Sequence, residues 1–182
     1  MNSESIVLIG MAGAGKSTIG RSLAETLGFE FIDLDDYIEE KVGKTIQEII
    51  DDEDESALLR LEKQRMYEID LTRRLVAPGG SIIYNPDLME YLRQHSTLVY
   101  LDDSFENIEK RLTDASVRGI IGLKSKSLRQ IYDERSPLYS RYANITVDCR
   151  SKSWDQIVKE ILHCYLDLIK IGGGKNETYS AI

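Results

Sequence analysis

Ile6-Val7-Leu8-Ile9-Gly10-Met11-Ala12-Gly13-Ala14-Gly15-Lys16-Ser17 is the stretch that decides the fold. Its first four residues form a short, continuous apolar run rich in β-branched side chains, the pattern of a buried strand. The next eight match G-x-x-x-x-G-K-[ST] at every fixed position. Each residue type has a chemical reason. Gly10, Gly13 and Gly15 let the backbone wrap closely around a polyphosphate, with the N–H groups of the loop, Ala14 and Thr18 included, turned toward it. Lys16 reaches the β- and γ-phosphates, and the Ser17 hydroxyl is a ligand for Mg²⁺. Lys16 to Leu27 then carries apolar residues at helical spacing, Ile19, Leu23 and Leu27, and Gly28 stops the helix. Strand, phosphate-binding loop and helix in this order predict an ATP site.

Working outward, short apolar runs alternate with helical patterns. Strands are expected at Phe29 to Asp33, Leu75 to Ala77, Thr97 to Leu101 and Asn144 to Val147. Helices are expected after Thr45, whose spacing to Glu48 is that of a capping box, over Glu55 to Leu71, after Asp103 or Ser104, over Lys124 to Tyr139, and from the second capping box at Ser153 to Gln156. Strands separated by helices argue for βαβ units. The expected fold is a three-layer α/β sandwich, with a central parallel sheet of about five strands and helices on both faces. Residues 1–171 read as one domain and 172–182, with three consecutive glycines, as a flexible tail.

Asp33 and Asp35 close the second expected strand. Ligands of open parallel sheets bind beyond the carboxyl ends of the strands. A D-x-D pair on extended chain points both side chains one way. One carboxylate could then orient water around Mg²⁺ while the other accepts a hydrogen bond from an attacking hydroxyl. The same spacing suits Asp35 or Asp36 as a helix cap, and spacing alone does not choose between these readings.

The chain has 182 residues, and its formal net charge of −8 disfavours nucleic acid and anionic membrane as partners. The run Asp51 to Glu55 reads as solvated surface. Two cysteines without a CxxC pair fit a reducing compartment, and no apolar stretch approaches membrane-spanning length, so the expectation is a cytoplasmic protein, acting as a monomer.

The sequence resembles the shikimate kinase family from about Ile6 to Leu162. The motifs that carry the resemblance are the loop through Gly20, then Leu23-Ala24, Leu27-Gly28, Phe31-x-Asp33-x-Asp35, Gly43, Ile46-x-Glu48-Ile49, Gly79-Gly80, Val99-Tyr100-Leu101, Arg111, Arg118 and Arg135-x-Pro137-x-Tyr139. The resemblance implies the P-loop NTPase fold with a mobile lid at about 116–126. It implies ATP-dependent phosphorylation of shikimate, with Mg²⁺, in aromatic amino acid biosynthesis. By residue, it implies that Asp35, Gly79, Gly80 and Arg135 hold the acceptor, and that Arg118 comes from the lid to the transferring phosphoryl group. Arg111 and Arg150 would serve the nucleotide, and Asp33 the metal's water shell. By themselves, Arg118 and Arg135 would read as surface ion-pair residues in an acidic chain.

The pattern departs from the family on the acceptor side. Leu58 and Leu59 stand where it has Phe and a carboxylate-binding Arg, Asp54 and Ser81 stand where it has Gly, and Gly119 follows Arg118 where it has Pro. Arg60 is about 100° further around a helix and does not substitute for Leu59. The ATP half of the site therefore reads as intact and the acceptor half as altered. Alternatives to a shikimate kinase are a kinase of the same fold with another small hydroxylated acceptor, or an ATP-binding module without turnover.

Overall fold

A computed structural model describes residues 4–112 and 119–172. In chain order it comprises β1 (Ile6–Ile9), α1 (Lys16–Leu27), β2 (Glu30–Asp33), α2 (Leu34–Val42), α3 (Ile46–Asp52), α4 (Glu55–Glu68) and β3 (Arg74–Ala77). A 3-10 turn (Gly80–Tyr84) leads to α5 (Pro86–His95), β4 (Thr97–Asp102), α6 (Phe105–Arg111), α7 (Leu128–Tyr142), β5 (Ile145–Asp148) and α8 (Trp154–Gly172). The five strands are all parallel, in the order β2-β3-β1-β4-β5. The β1 side chains alternate across the sheet. Ile6 and Leu8 join one apolar core with Ile19 and Leu23 of α1 and Ile157 and Ile161 of α8. Val7 and Ile9 join a second with Leu34, Leu58, Leu88 and Ile131, on the side of α2 to α5 and α7. Burial on both faces explains why β1 reads as an unbroken apolar run.

The expected architecture is present, with local corrections. The second acid of the D-x-D pair is not on extended chain: Asp33 ends β2 and caps α2, accepting from the Asp35 N–H, so Asp35 lies in the helix's first turn. Neither Asp35 nor Asp36 is the cap. The α7 helix starts at Leu128 rather than at Lys124, because Ser127 and Gln130 form a capping box and a turn around Gly122 precedes it. It runs past Pro137 to Tyr142. The α4 helix ends at Glu68, short of Leu71. The acidic run is only partly solvated surface: Asp54 caps α4, and Glu55 accepts from the Gly122 N–H at 2.9 Å. The expected tail begins at Gly172, the last helical residue, and its residues 173–182 lie outside the described residues. No helix among the described residues is long and apolar enough to cross a membrane.

Candidate active site

Two adjoining cavities open at the carboxyl edge of the sheet. The larger, about 370 Å³, is lined by the phosphate loop, Asp33, Asp35, the Ala77-Pro78-Gly79-Gly80 segment, Arg111 and Trp154. Gly15, at φ 91°, adopts a left-handed conformation just before α1. A side chain there would also collide with the Trp154 ring at 2.8 Å, so two constraints fix glycine at this position. Lys16 donates to the carbonyls of Gly10 (3.0 Å) and Met11 (2.9 Å). Loss of solvent around its ammonium pulls its pKa down to about 8, against the attraction of Asp35 and Asp33. Ser17 Oγ donates to Asp33 Oδ2 at 2.6 Å, which puts two hard oxygen ligands side by side in the phosphate cavity. That donor set fits Mg²⁺, which takes few protein oxygens and completes its shell with water and phosphate.

At the outer end of this cavity, the Arg111 guanidinium lies 4.8 Å from the Trp154 ring centroid. It is pinned from behind by the buried Asp103 carboxylate and by the Gly13 carbonyl. An ion pair with a buried carboxylate costs the long side chain its freedom beforehand, so Arg111 and Trp154 offer a pre-set flat surface for an aromatic base.

The second cavity, about 230 Å³, is bounded by Asp35 and Glu39 of α2, Ile46, Leu58 and Glu62 of α4, Gly79 to Ser81, the 119–121 segment and Arg135. Arg135 is only 1% exposed. It donates to Tyr84 Oη at 3.2 Å and to the Ile121 carbonyl at 2.7 Å, and its guanidinium lies 5.0 Å from the Tyr84 ring centroid. No carboxylate lies within ion-pair distance of it among the described residues. A buried cation without a counter-ion is costly. The expectation that Arg135 alone would read as a surface ion-pair residue is thus overturned. Gly79 and Gly80 separate the cavities by close approach: a side chain on Gly79 would meet Glu62 Oε1 at 2.6 Å, and one on Gly80 would meet Tyr139 Oη at 3.0 Å and Arg135 at 3.1 Å. Burial first, and then Asp33, push the Asp35 carboxyl up to about 6.

The structure gathers most of the expected site residues and disperses some. Gly13, Gly15, Lys16, Ser17, Thr18, Asp33, Asp35, Gly79, Gly80 and Arg111 line the first cavity, while Arg135 lines the second. Gly10 and Ala14 support the loop from beneath, buried. Arg150 lines neither of these two cavities; it pairs at 2.8 Å with Asp102, the last residue of β4. Arg118 and lid residues 116–118 lie outside the described residues. The rest of the expected lid is tied to α3 and α4: Gly119 N–H donates to Gln47 Oε1 at 2.8 Å, and Lys124 approaches Asp51 at 3.7 Å. Lys126 pairs with Glu134. Leu59, the position of the missing arginine, packs half-buried against the core, and Leu58 rather than Leu59 lines the second cavity. Arg60 is exposed, as its helical phase requires. Glu62, Tyr84 and Trp154 were not among the expected site residues. Glu62 keeps the last acid of the family's pattern on this helix, whereas the placement of Tyr84 and Trp154 depends on tertiary packing and no local motif announces it.

A phosphate loop whose cavity opens onto a second one, walled by an acid and a buried arginine, is built for moving a phosphoryl group onto a small molecule; the class is that of the P-loop kinases. The shikimate kinase family model matches residues 12–166, and the chain belongs to that family. It is a kinase that uses ATP with Mg²⁺. The shikimate kinase of Caldanaerobacter subterraneus subsp. tengcongensis is 30% identical, covering 91% of this chain and 98% of the relative. That of Persephonella marina is 35% identical, covering 87% and 97%. Among solved structures, a shikimate kinase from Acinetobacter baumannii in complex with shikimate superposes with a TM-score of 0.85 at 32% identity, covering 92% of this chain and 95% of that one. A gluconokinase from Sinorhizobium meliloti, 18% identical with a TM-score of 0.54, shares the fold.

Proposed function

We propose that the chain transfers the γ-phosphoryl group of ATP to a hydroxyl of shikimate, giving shikimate 3-phosphate and ADP. The observation that carries this reading is Arg135: a buried guanidinium without a counter-ion among the described residues, one cavity away from the phosphate loop. A small acceptor with one carboxylate supplies the missing charge through a fork-shaped pair. The Acinetobacter relative, a shikimate kinase in complex with shikimate, supports the same acceptor.

In this reading, Asp35 takes the proton of the attacking hydroxyl. Its pKa of about 6 leaves it ionised at neutral pH yet basic enough to accept that proton. Lys16 exchanges the Gly10 and Met11 carbonyls for phosphate oxygens, and the loop N–H groups hold the polyphosphate. Ser17 and Asp33 would hold Mg²⁺, which would supply positive charge against the polyphosphate. Arg111 and Trp154 bind the base, and the Gly79-Gly80 backbone lets the acceptor approach the phosphate.

One observation favours a second reading. Leu58 faces the acceptor cavity and Leu59 packs against the core, so α4 supplies no cation to a carboxylate there. A different hydroxylated monocarboxylic acid would also be served by Arg135 alone. The experiment is ADP release with ATP, Mg²⁺ and a panel of such acids. Shikimate giving the highest kcat/KM supports the first reading, and another acid surpassing it supports the second.

A further inference from the structure

Asp103 follows β4, and its side chain is fully buried, whereas Arg111, its ion-pair partner, keeps 32% of its side chain exposed at the first cavity. The pair is lopsided: the carboxylate is fixed inside and the guanidinium is presented outside. Asp103 does not cap α6; Ser104 does, accepting from the Asn107 N–H. The Asp103 carboxylate is engaged elsewhere. Oδ1 accepts from the Ser104 N–H at 2.8 Å and from Asn107 Nδ2 at 2.7 Å, and Oδ2 accepts from Arg111 Nη1. A cation and two hydrogen bonds offset the hydration that a buried carboxylate loses, and removing the cation alone is costly.

A second link leads away from α6. The same Asn107 amide also donates to the Arg150 carbonyl at 2.9 Å. Arg150 lies in the turn between β5 and α8, four residues before Trp154. That turn is tied to the end of β4 twice more, by the Cys149 N–H to the Asp102 carbonyl at 2.8 Å and by the Arg150 side chain to Asp102. One carboxylate thus joins two segments far apart in sequence, the end of α6 that carries Arg111 and the turn that leads to Trp154. From α7, Tyr132 Oη donates to the Asp103 carbonyl at 2.9 Å and holds its backbone in place.

We propose that Asp103 is the positioning residue of the nucleotide's base site, fixing Arg111 directly and the Trp154 turn through Asn107, so that both walls are set before the nucleotide arrives. The proposal rests on the reading of the Arg111 and Trp154 end of the first cavity as the place of the base. Asp103 itself lines neither cavity, so it acts through Arg111 and Asn107 alone. The physical content is pre-organisation. A free arginine side chain loses rotamer freedom when it stacks on a ligand, and that loss weakens binding. Here the freedom is already gone in the folded chain.

The test measures binding of ADP and of inorganic tripolyphosphate by calorimetry, in the wild type, Asp103→Asn, Arg111→Met and the double variant, together with KM for ATP and shikimate. Tripolyphosphate engages the phosphate loop without a base. Asp103→Asn keeps an oxygen for Ser104 and Asn107 but loses the charge that holds Arg111. It should weaken ADP binding and raise KM for ATP about two- to ten-fold, the scale of one side chain's lost freedom. Tripolyphosphate binding, kcat and KM for shikimate should not change. Where Arg111 is already Met, Asp103→Asn should leave ADP affinity as it is. It should there raise Tm, because it removes a buried carboxylate left without its cation, whereas beside an intact Arg111 it should lower Tm.

Asn107→Ala keeps the ion pair and cuts the link to the Arg150 carbonyl, so it should give a smaller loss of ADP affinity and none for tripolyphosphate. If Asp103→Asn does not fold, Asn107→Ala decides: that pattern supports the proposal, and unchanged ADP affinity overturns it. The proposal is also overturned if Asp103→Asn binds ADP as the wild type does, loses ADP and tripolyphosphate equally, or has the same effect with Arg111 absent. Wild-type ADP affinity in Arg111→Met would instead sink the reading of the base site, and the proposal with it. ADP binding needs no acceptor, so the expected pattern in a protein that does not phosphorylate shikimate supports the proposal and counts against shikimate.

Discussion

The two halves of the site are built by different means. The nucleotide half is built around one contiguous loop: residues of the Gly10 to Ser17 stretch and Thr18 line the first cavity, and Asp33, Asp35, the Ala77-Pro78-Gly79-Gly80 segment, Arg111 and Trp154 complete it from elsewhere. The second cavity, proposed for the acceptor, is assembled from α2, α3, α4, the Gly79 to Ser81 turn, the 119–121 segment and α7, with Ala12 from the phosphate loop, none contributing more than a few residues. A loop of main-chain donors tolerates little change, because its geometry and its chemistry are the same atoms. A cavity of side chains can exchange one group for another while the fold stands. The departures from the family pattern at Leu58, Leu59 and Ser81 all fall in or beside the second half.

If that division is right, substitutions should separate cleanly by half. The largest effect is expected at Lys16. Lys16→Ala should lower kcat by about 10²–10³-fold or more, by removing a positive charge aimed at the developing phosphoryl charge. Tm should shift little, since the side chain is only half-buried and bonds only to loop carbonyls. Retained turnover, or an unfolded protein, would break the assignment of the nucleotide half.

Next comes Arg135. Arg135→Met should raise KM for the acceptor about ten- to a hundred-fold through loss of a charge-assisted bond, and leave nucleotide affinity alone. Because Arg135 also holds the Ile121 carbonyl and stacks on Tyr84, a fall in Tm should accompany it. Arg135→Lys keeps the charge but loses the fork, and should recover only part of the acceptor affinity. Equal losses toward ATP and acceptor would erase the boundary between the halves.

The smallest effect is expected at Trp154, the chain's single tryptophan. Trp154→Ala should weaken ATP binding by about two- to ten-fold, the scale of one aromatic stacking contact. In the wild type, ADP should change the tryptophan emission, whereas shikimate alone should change it little. An emission change driven by shikimate rather than ADP would place the two ligands the wrong way round.

How far the sequence could be read follows the same division. The phosphate loop and its flanking strand and helix are legible because contiguous residues carry both the fold and the chemistry. The five parallel strands are legible because burial on both faces leaves short apolar runs. Asp33 illustrates the limit: D-x-D spacing suggested two acids on one extended strand, but the helix begins between them, and Asp33 serves as cap and as partner of Ser17 at once. The Arg111 and Arg150 side chains look alike in sequence, yet a buried Asp103 holds one at the cavity while Asp102 draws the other away. Glu62 keeps the last acid of the family's helix pattern, but only packing shows that it is buried, bonded to Ser81 and unpaired with any cation among the described residues.

The central claim is that an intact ATP site here faces a cavity made for a hydroxylated monocarboxylate, and that shikimate fits it. Its most direct test is ³¹P NMR of the wild-type protein incubated with ATP, Mg²⁺ and shikimate. The account predicts a new phosphomonoester resonance that grows in step with ADP and is absent without shikimate. Unchanged ATP, in a protein shown to bind ADP by its tryptophan emission, would contradict it.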